Sequence, residues 1–251
     1  MIAASSPAFS ALSFKDVLER ISRDFEAWEV VGEGRHSLPA IEKEFLELTP
    51  SYDLEYSAHS PMSDINIGSL NPRMREASMQ ELMAGLGAAG RMGMDVYTVH
   101  PGFLTPIGFV APDRVKAAAR SSLHRLESLS REVGVKIALE NMPRSPFSMA
   151  TTPQALSELM DGIDIGICFD VGHANTMGLI DGFLELKDRF VNIHVHDNMG
   201  ATDEHLPVGK GTVDFPRLLG GLSGYSGRYV IESRGVDDAV QSQRELRRLL
   251  A

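Results

Sequence analysis

The sequence predicts a closed (β/α)8 barrel, an eight-stranded parallel sheet wrapped by helices, and three observations lead there. Its 251 residues are a normal length for one such barrel and ample for a large core. Short apolar segments alternate along the chain with segments of helical periodicity. Several of the short segments end in a metal-binding side chain, where a strand would give way to a loop. An open doubly wound sheet also fits the alternation, but it would gather its ligands at one switch point rather than at nearly every strand end. No linker, charge run or internal repeat marks a second domain, so residues 1–251 are read as one barrel.

The first strand is expected at AFSALSF (8–14) and the second at AWEVV (27–31). DLEYSAH (53–59) follows and ends in His59; DVYTVH (95–100) ends in His100, VKIALE (135–140) in Glu140 and IGICFD (165–170) in Asp170. FVNIHVH (190–196) carries His194 and His196, and YVIE (229–232) ends in Glu232. Most are apolar on both faces, as strands covered by helices require. Helical periodicity is clearest over 73–92, over 112–133 (opened by Pro112 and Asp113), over 152–161 and over the arginine-rich 236–250. Thr152 before Pro153 reads as an N-cap followed by a first-turn proline.

The bulk numbers narrow the function classes. A net charge of -10 and a pI of about 5.3 argue against a surface coated in basic residues for nucleic acid. The single cysteine, Cys168, excludes an internal disulfide and reads as a small buried hydrophobe, which suits a reducing cytosol. The opening MIAASSPAFSALSF lacks the basic and apolar regions of a signal peptide, and no apolar run approaches a membrane span. A soluble, cytoplasmic protein is expected.

In FDVGHAN, Asp170 and His173 span a strand end and a tight turn that Gly172 is expected to permit. His194 and His196 share one strand face, so only one need be a ligand, and Asp197 is a candidate acceptor for a ligating imidazole. The loop GATDEHLPVGKG presents Asp203 and His205, with Lys210 as a candidate anion contact. Glu140, followed by Asn141, and Glu232, near Arg234, are strand-end glutamates whose burial calls for a nearby cation. His36 and His124 read as ordinary surface or helix residues. Histidine and carboxylate ligands without cysteine suit zinc, manganese, cobalt or iron better than calcium. Nine candidates are too many for one ion and imply two or three, or one ion beside acid/base groups.

SAHSP, VHPG, LEN, FDVGHAN, HVHDN, DEHLPVGKG and the final IES together resemble the xylose isomerase-like TIM-barrel superfamily, from AWEVV to YVIESRG. That superfamily holds sugar and sugar-phosphate isomerases and epimerases as well as the endonuclease IV (AP endonuclease family 2) enzymes. For the endonuclease branch the resemblance implies a trinuclear zinc centre on His59, His100, Glu140, Asp170, His173, His194, Asp203, His205 and Glu232. For the isomerase branch it implies one divalent ion, zinc or manganese first, on Glu140, Asp170, His194 and Glu232. AFSALSF lacks the histidine motif that follows the endonuclease branch's first strand. GEGRHSLP offers only Arg35 and His36 to DNA, and PGFLTPIGF after His100 suits a small pocket.

The expected function is therefore a divalent-metal-dependent isomerase or epimerase of a small sugar or sugar phosphate. Glu140 and Glu232 would move the proton through a metal-stabilised enediolate, and Asn141 and Asp197 would support the ligands. His173 would bind a substrate oxygen or a further metal, and Lys210 or Arg234 a phosphate. The alternative is a metal-dependent phosphodiesterase acting at abasic sites, the one reading in which nucleic acid is a partner. No membrane partner is expected, and a homo-oligomer is compatible with either reading.

Overall fold

Alternate residues of a barrel strand face opposite ways, and here the two sets differ in chemistry. The computed structural model describes residues 1–251 and shows eight parallel strands closing in chain order, with β8 returning to β1. The strands are β1 (Ile2–Ser5), β2 (Ala27–Val31), β3 (Glu55–His59), β4 (Val96–Val99), β5 (Lys136–Glu140), β6 (Gly166–Asp170), β7 (Phe190–Val195) and β8 (Tyr229–Glu232). Outward residues such as Trp28, Val30, Tyr97, Leu139, Phe169 and Ile231 join the helices in one large apolar core. Inward residues near the start of the strands are small and apolar: Ala3, Ala27 and Val230 form one cluster, and Val96, Ala138 and Cys168 another. Further along, the same inward rows turn polar, through Glu29, Ser57, Thr98 and Asn192 to His59, Glu140, Asp170, His194 and Glu232, all buried. The sheet thus carries apolar contacts outside and a polar column inside, aimed at one end.

The helices are α1 (Phe14–Ile21), α2 (Leu38–Leu48), α3 (Pro72–Arg91), α4 (Pro106–Val110), α5 (Pro112–Val133), α6 (Pro153–Met160), α7 (Val171–Met177), α8 (Ile180–Leu184), α9 (Phe215–Gly221) and α10 (Val236–Leu250). The expected 112–133 and 236–250 coincide with α5 and α10, and Thr152 does cap α6, its hydroxyl accepting from the Ala155 N–H at 3.1 Å. None of these helices is long and apolar enough to cross a membrane.

Two expectations are corrected here. Residues 8–14 are not the first strand but a 3-10 helix (Pro7–Ala11) running into α1. Pro7 has no N–H to give a central ladder, Ser6 caps the turn by accepting from the Ala8 N–H at 3.2 Å, and Ser13 caps α1 through the Asp16 N–H at 3.2 Å. The strand is Ile2–Ser5, paired in register from Ile2 with Tyr229 to Ser5 with Glu232. His36 is not a surface residue: it is fully buried, edge-on to Phe14 (5.8 Å, 80°) and Trp28 (5.7 Å, 76°). Burial lowers its pKa, so it packs as a neutral aromatic ring. His124 stays on the helix surface of α5, 3.4 Å from Glu127.

Candidate metal centre at the barrel mouth

The nine predicted ligands meet at the C-terminal end of the barrel. β3 ends in His59, β5 in Glu140, β6 in Asp170 and β8 in Glu232; β7 carries His194 in its last turn of the ladder, and His100 follows β4. His173 sits in the first turn of α7, while Asp203 and His205 arrive on the loop between β7 and α9. This is the face where the loops of such barrels converge.

Glu140 is the hub. Its Oε2 lies 3.2 Å from Nε2 of both His59 and His100, and its Oε1 lies 3.3 Å from His173 Nδ1 and 3.6 Å from His194 Nδ1. His194 Nδ1 is also 3.2 Å from Glu232 and 3.8 Å from Asp170. On the far side, Asp203 Oδ2 is 3.2 Å from His173 Nε2 and 3.1 Å from His205 Nε2, and Glu232 reaches His205 at 3.7 Å. His59, His100 and Glu140 therefore form one group able to hold an ion, and Glu140, Asp170 and His173 a second. Glu232 joins a group with Glu29 and His194, and His173, His196, Asp203 and His205 form another. Asn141 hydrogen-bonds two of the predicted ligands, Asp170 and His173. Its backbone carbonyl accepts from His173 Nδ1 at 2.8 Å, and its side chain spans the Asp170 N–H and carbonyl at 2.8 and 2.9 Å. That contact turns His173 Nε2 toward Asp203. His59 is oriented in the same way, with Nδ1 donating to the Ser60 carbonyl at 2.7 Å and Nε2 facing Glu140.

The fit to a cation rests on atoms the protein leaves without partners. Asp170 Oδ2, His194 Nδ1, both nitrogens of His196 and Asp203 Oδ1 are buried with no hydrogen bond. Such orphans are costly in a folded chain, and the donor set they form, imidazole nitrogen and carboxylate oxygen, is the one that zinc or manganese takes. In an ion-free mouth, protons do the balancing. Burial opposes ionisation of Glu140, but His100 and His194 outweigh it and hold the carboxyl well below the usual range. Burial likewise opposes charge on His173, yet Asp170, Asp203 and Glu140 push it up to about 10; His205, buried beside Asp203 and Glu232, is pushed up to about 9.

Some residues fall elsewhere. Asp197 supports no histidine. Its carboxylate accepts the N–H groups of Asn198 (2.9 Å), Gly211 (2.7 Å) and Val213 (3.1 Å), so it folds the loop that delivers Asp203 and His205. Lys210 lines a groove of about 1000 Å³ on the outer wall with Arg20, Arg23, Arg244 and Arg248, which none of the nine ring residues lines. Arg234 is exposed just after β8. Gly172 is required for a different reason than a turn. It lies inside α7, and a Cβ there would sit 2.0 Å from Cε1 of His196. His196 stacks on His205 at 3.9 Å and lies 3.2 Å from Asp170, so both histidines of HVH belong to the mouth. His205 has φ +48°, a left-handed conformation uncommon outside glycine and typical of functional loops.

The residue that the sequence reading missed is Glu29. It is fully buried inside β2, 2.9 Å from His194 Nε2 and 2.7 Å from Asn192 Nδ2. The signal was a glutamate in the middle of AWEVV, where every neighbour is apolar.

A family profile described as xylose isomerase-like TIM barrel matches residues 21–251. An uncharacterized protein of Methanocaldococcus jannaschii is 35% identical over 257 residues, covering 98% of this chain and 88% of that protein. The crystal structure of a D-tagatose 3-epimerase-like protein superposes with a TM-score of 0.92 at 32% identity, covering 99% of this chain and 96% of that one. A probable endonuclease 4 of Acholeplasma laidlawii is 26% identical over 180 residues, 64% of this chain and 60% of that protein. The chain belongs to the xylose isomerase-like TIM barrel family.

Proposed function

We propose that this protein is a divalent-metal-dependent epimerase or isomerase of a small sugar or sugar derivative. The observation that carries the reading is the pair of strand-end glutamates, Glu140 and Glu232, which approach His194 Nδ1 to 3.6 and 3.2 Å from β5 and β8. Glu140, Asp170, His194 and Glu232 would hold the ion. When bound, the ion supplies Lewis acidity toward a carbonyl and its neighbouring hydroxyl. Glu140 and Glu232 come from strands three apart in a closed ring, so they can address a carbon from two sides: one takes its proton, the other returns it. The likeness to a D-tagatose 3-epimerase-like protein supports this class. So does the rim, where Phe103 and, on α4, Ile107 and Phe109 after β4 and Phe147 after β5 are exposed beside the mouth, an apolar cover better suited to a small substrate than to a phosphate backbone.

The test is incubation of metal-loaded protein with a panel of ketoses and aldoses in deuterated water. Deuterium entering the carbon next to the carbonyl, together with the epimer or isomer, is expected; its absence across the panel contradicts the reading. The nine-residue ring itself favours a second reading, metal-dependent cleavage at abasic sites. Persistent nicking of abasic duplex by protein purified to constant specific activity would replace the first reading with it. The net charge of -10 opposes that outcome, since binding DNA is dominated by phosphate neutralisation.

A further inference from the structure

All five residues of β2 are buried, and Glu29 shares the inward row that leads from Ala27 toward the mouth. A carboxylate at this depth is expensive unless compensated, and no lysine or arginine pairs with it. Its Oε2 is satisfied: Asn192 Nδ2 donates at 2.7 Å and the hydroxyls of Ser57 and Thr98 at 3.3 and 3.5 Å. Its Oε1 has no such donor and lies 2.9 Å from His194 Nε2.

That distance decides the ring's proton. A carboxylate oxygen at 2.9 Å repels a lone pair and attracts a proton, so the hydrogen of the neutral ring is assigned to Nε2. Asn192 Nδ2 is 3.3 Å from the same nitrogen, but its two protons have nearer acceptors in Glu29 at 2.7 Å and Thr98 at 3.1 Å. With Nε2 protonated, the neutral ring presents its Nδ1 lone pair to the space between Glu232 (3.2 Å), Glu140 (3.6 Å) and Asp170 (3.8 Å). Nδ1 has no hydrogen bond of its own.

We propose that Glu29 is a positioning residue of the metal centre: from beneath the mouth it holds His194 as the Nε2–H tautomer, so that Nδ1 is free to bind a divalent cation. Carboxylates that accept the second N–H of a ligating imidazole fix its orientation and raise its basicity. Glu29 occupies that place from inside the barrel, where its anchors Asn192, Ser57 and Thr98 come from three other strands. The proposal rests on the reading of the mouth as a metal centre and is independent of which reaction the centre performs.

The experiment compares wild-type protein, Glu29→Gln and Glu29→Asp in zinc titration, with the histidine nitrogens followed by 15N NMR. Expected in the wild type is a His194 with a protonated Nε2 and a zinc-bound Nδ1. Glu29→Gln removes the charge at nearly constant volume. It is expected to weaken zinc binding by about 10- to 100-fold and to move the His194 nitrogen signals, because a carboxamide can turn its own N–H toward the ring. Glu29→Asp keeps the charge one methylene further back; it is expected to retain the tautomer with an intermediate loss of affinity, and it carries the test if Glu29→Gln does not fold. Unchanged zinc affinity and unchanged His194 signals in whichever variant folds overturn the proposal alone. A wild-type protein that takes up no zinc overturns it together with the metal reading.

Discussion

The two ends of the barrel solve the same electrostatic problem in opposite ways. At the N-terminal floor, Arg228 is 6% exposed and reaches Asp95 at 3.1 Å and Glu55 at 3.3 Å, so the chain supplies its own counter-charge. At the mouth, the carboxylates of Glu29, Glu140, Asp170, Asp203 and Glu232 face imidazoles and no lysine or arginine. The floor leaves one nitrogen, Arg228 Nε, without a partner, whereas the mouth strands atoms of Asp170, His194, His196 and Asp203. A fold that can close an ion pair at one end has no physical reason to leave the other unbalanced, unless something from outside completes it. The floor closes its own ion pair, and on the proposed reading the mouth is completed by a cation.

The sharpest contrast comes from Glu140→Gln. One oxygen stays, but the charge that faces His59, His100, His173 and His194 is lost. Deuterium wash-in should fall by about 10²- to 10⁴-fold, the usual worth of a positioned acid/base group. A variant that exchanges within threefold of the wild type would remove Glu140 from the centre of the account.

A smaller effect separates the ends by pH. His173 and His205 are raised from 6.5 to about 10 and about 9, so in ion-free protein they stabilise the fold fully below pH 6.5 and lose that contribution as pH climbs through 9 and 10. The melting temperature of chelator-treated protein should therefore fall by several degrees between pH 6.5 and 10. Metal uptake over the same range should release protons and tighten with rising pH. A melting temperature that is flat in ion-free protein would contradict the balancing role given to these protons.

The smallest effect belongs to the floor. Glu55 and Asp95 are 60% and 59% exposed, so Arg228→Met should cost only about 1 kcal/mol by chemical denaturation, with metal affinity unchanged. Coupling of this substitution to the metal would erase the distinction between the two ends.

Much of this was readable in advance because strand ends in a closed barrel converge whatever the loops do. His59, Glu140, Asp170 and Glu232 each close an apolar run, and each lies where that rule puts it. What stayed hidden depends on contacts across the ring. Glu29 sits mid-strand, and only the closed ring brings it to His194, 165 positions later. His36 resembles a surface histidine until α1 and β2 fold Phe14 and Trp28 around it. Ile2–Ser5 is an isoleucine and three small residues with no periodic pattern, and it is a strand because β8 and β2 offer it two ladders. The role of Asp197 was misread for a related reason. The residue next to His196 in sequence points its carboxylate into its own loop, toward Gly211 and Val213.

The most direct measurement is the divalent-metal content of the purified protein, by mass spectrometry after equilibration with zinc or manganese and exhaustive dialysis. At least one ion per chain, removed by a chelator and absent from Glu140→Gln, is the expected result. Native protein that folds, survives dialysis and carries no ion would contradict the claim that the mouth is a metal centre.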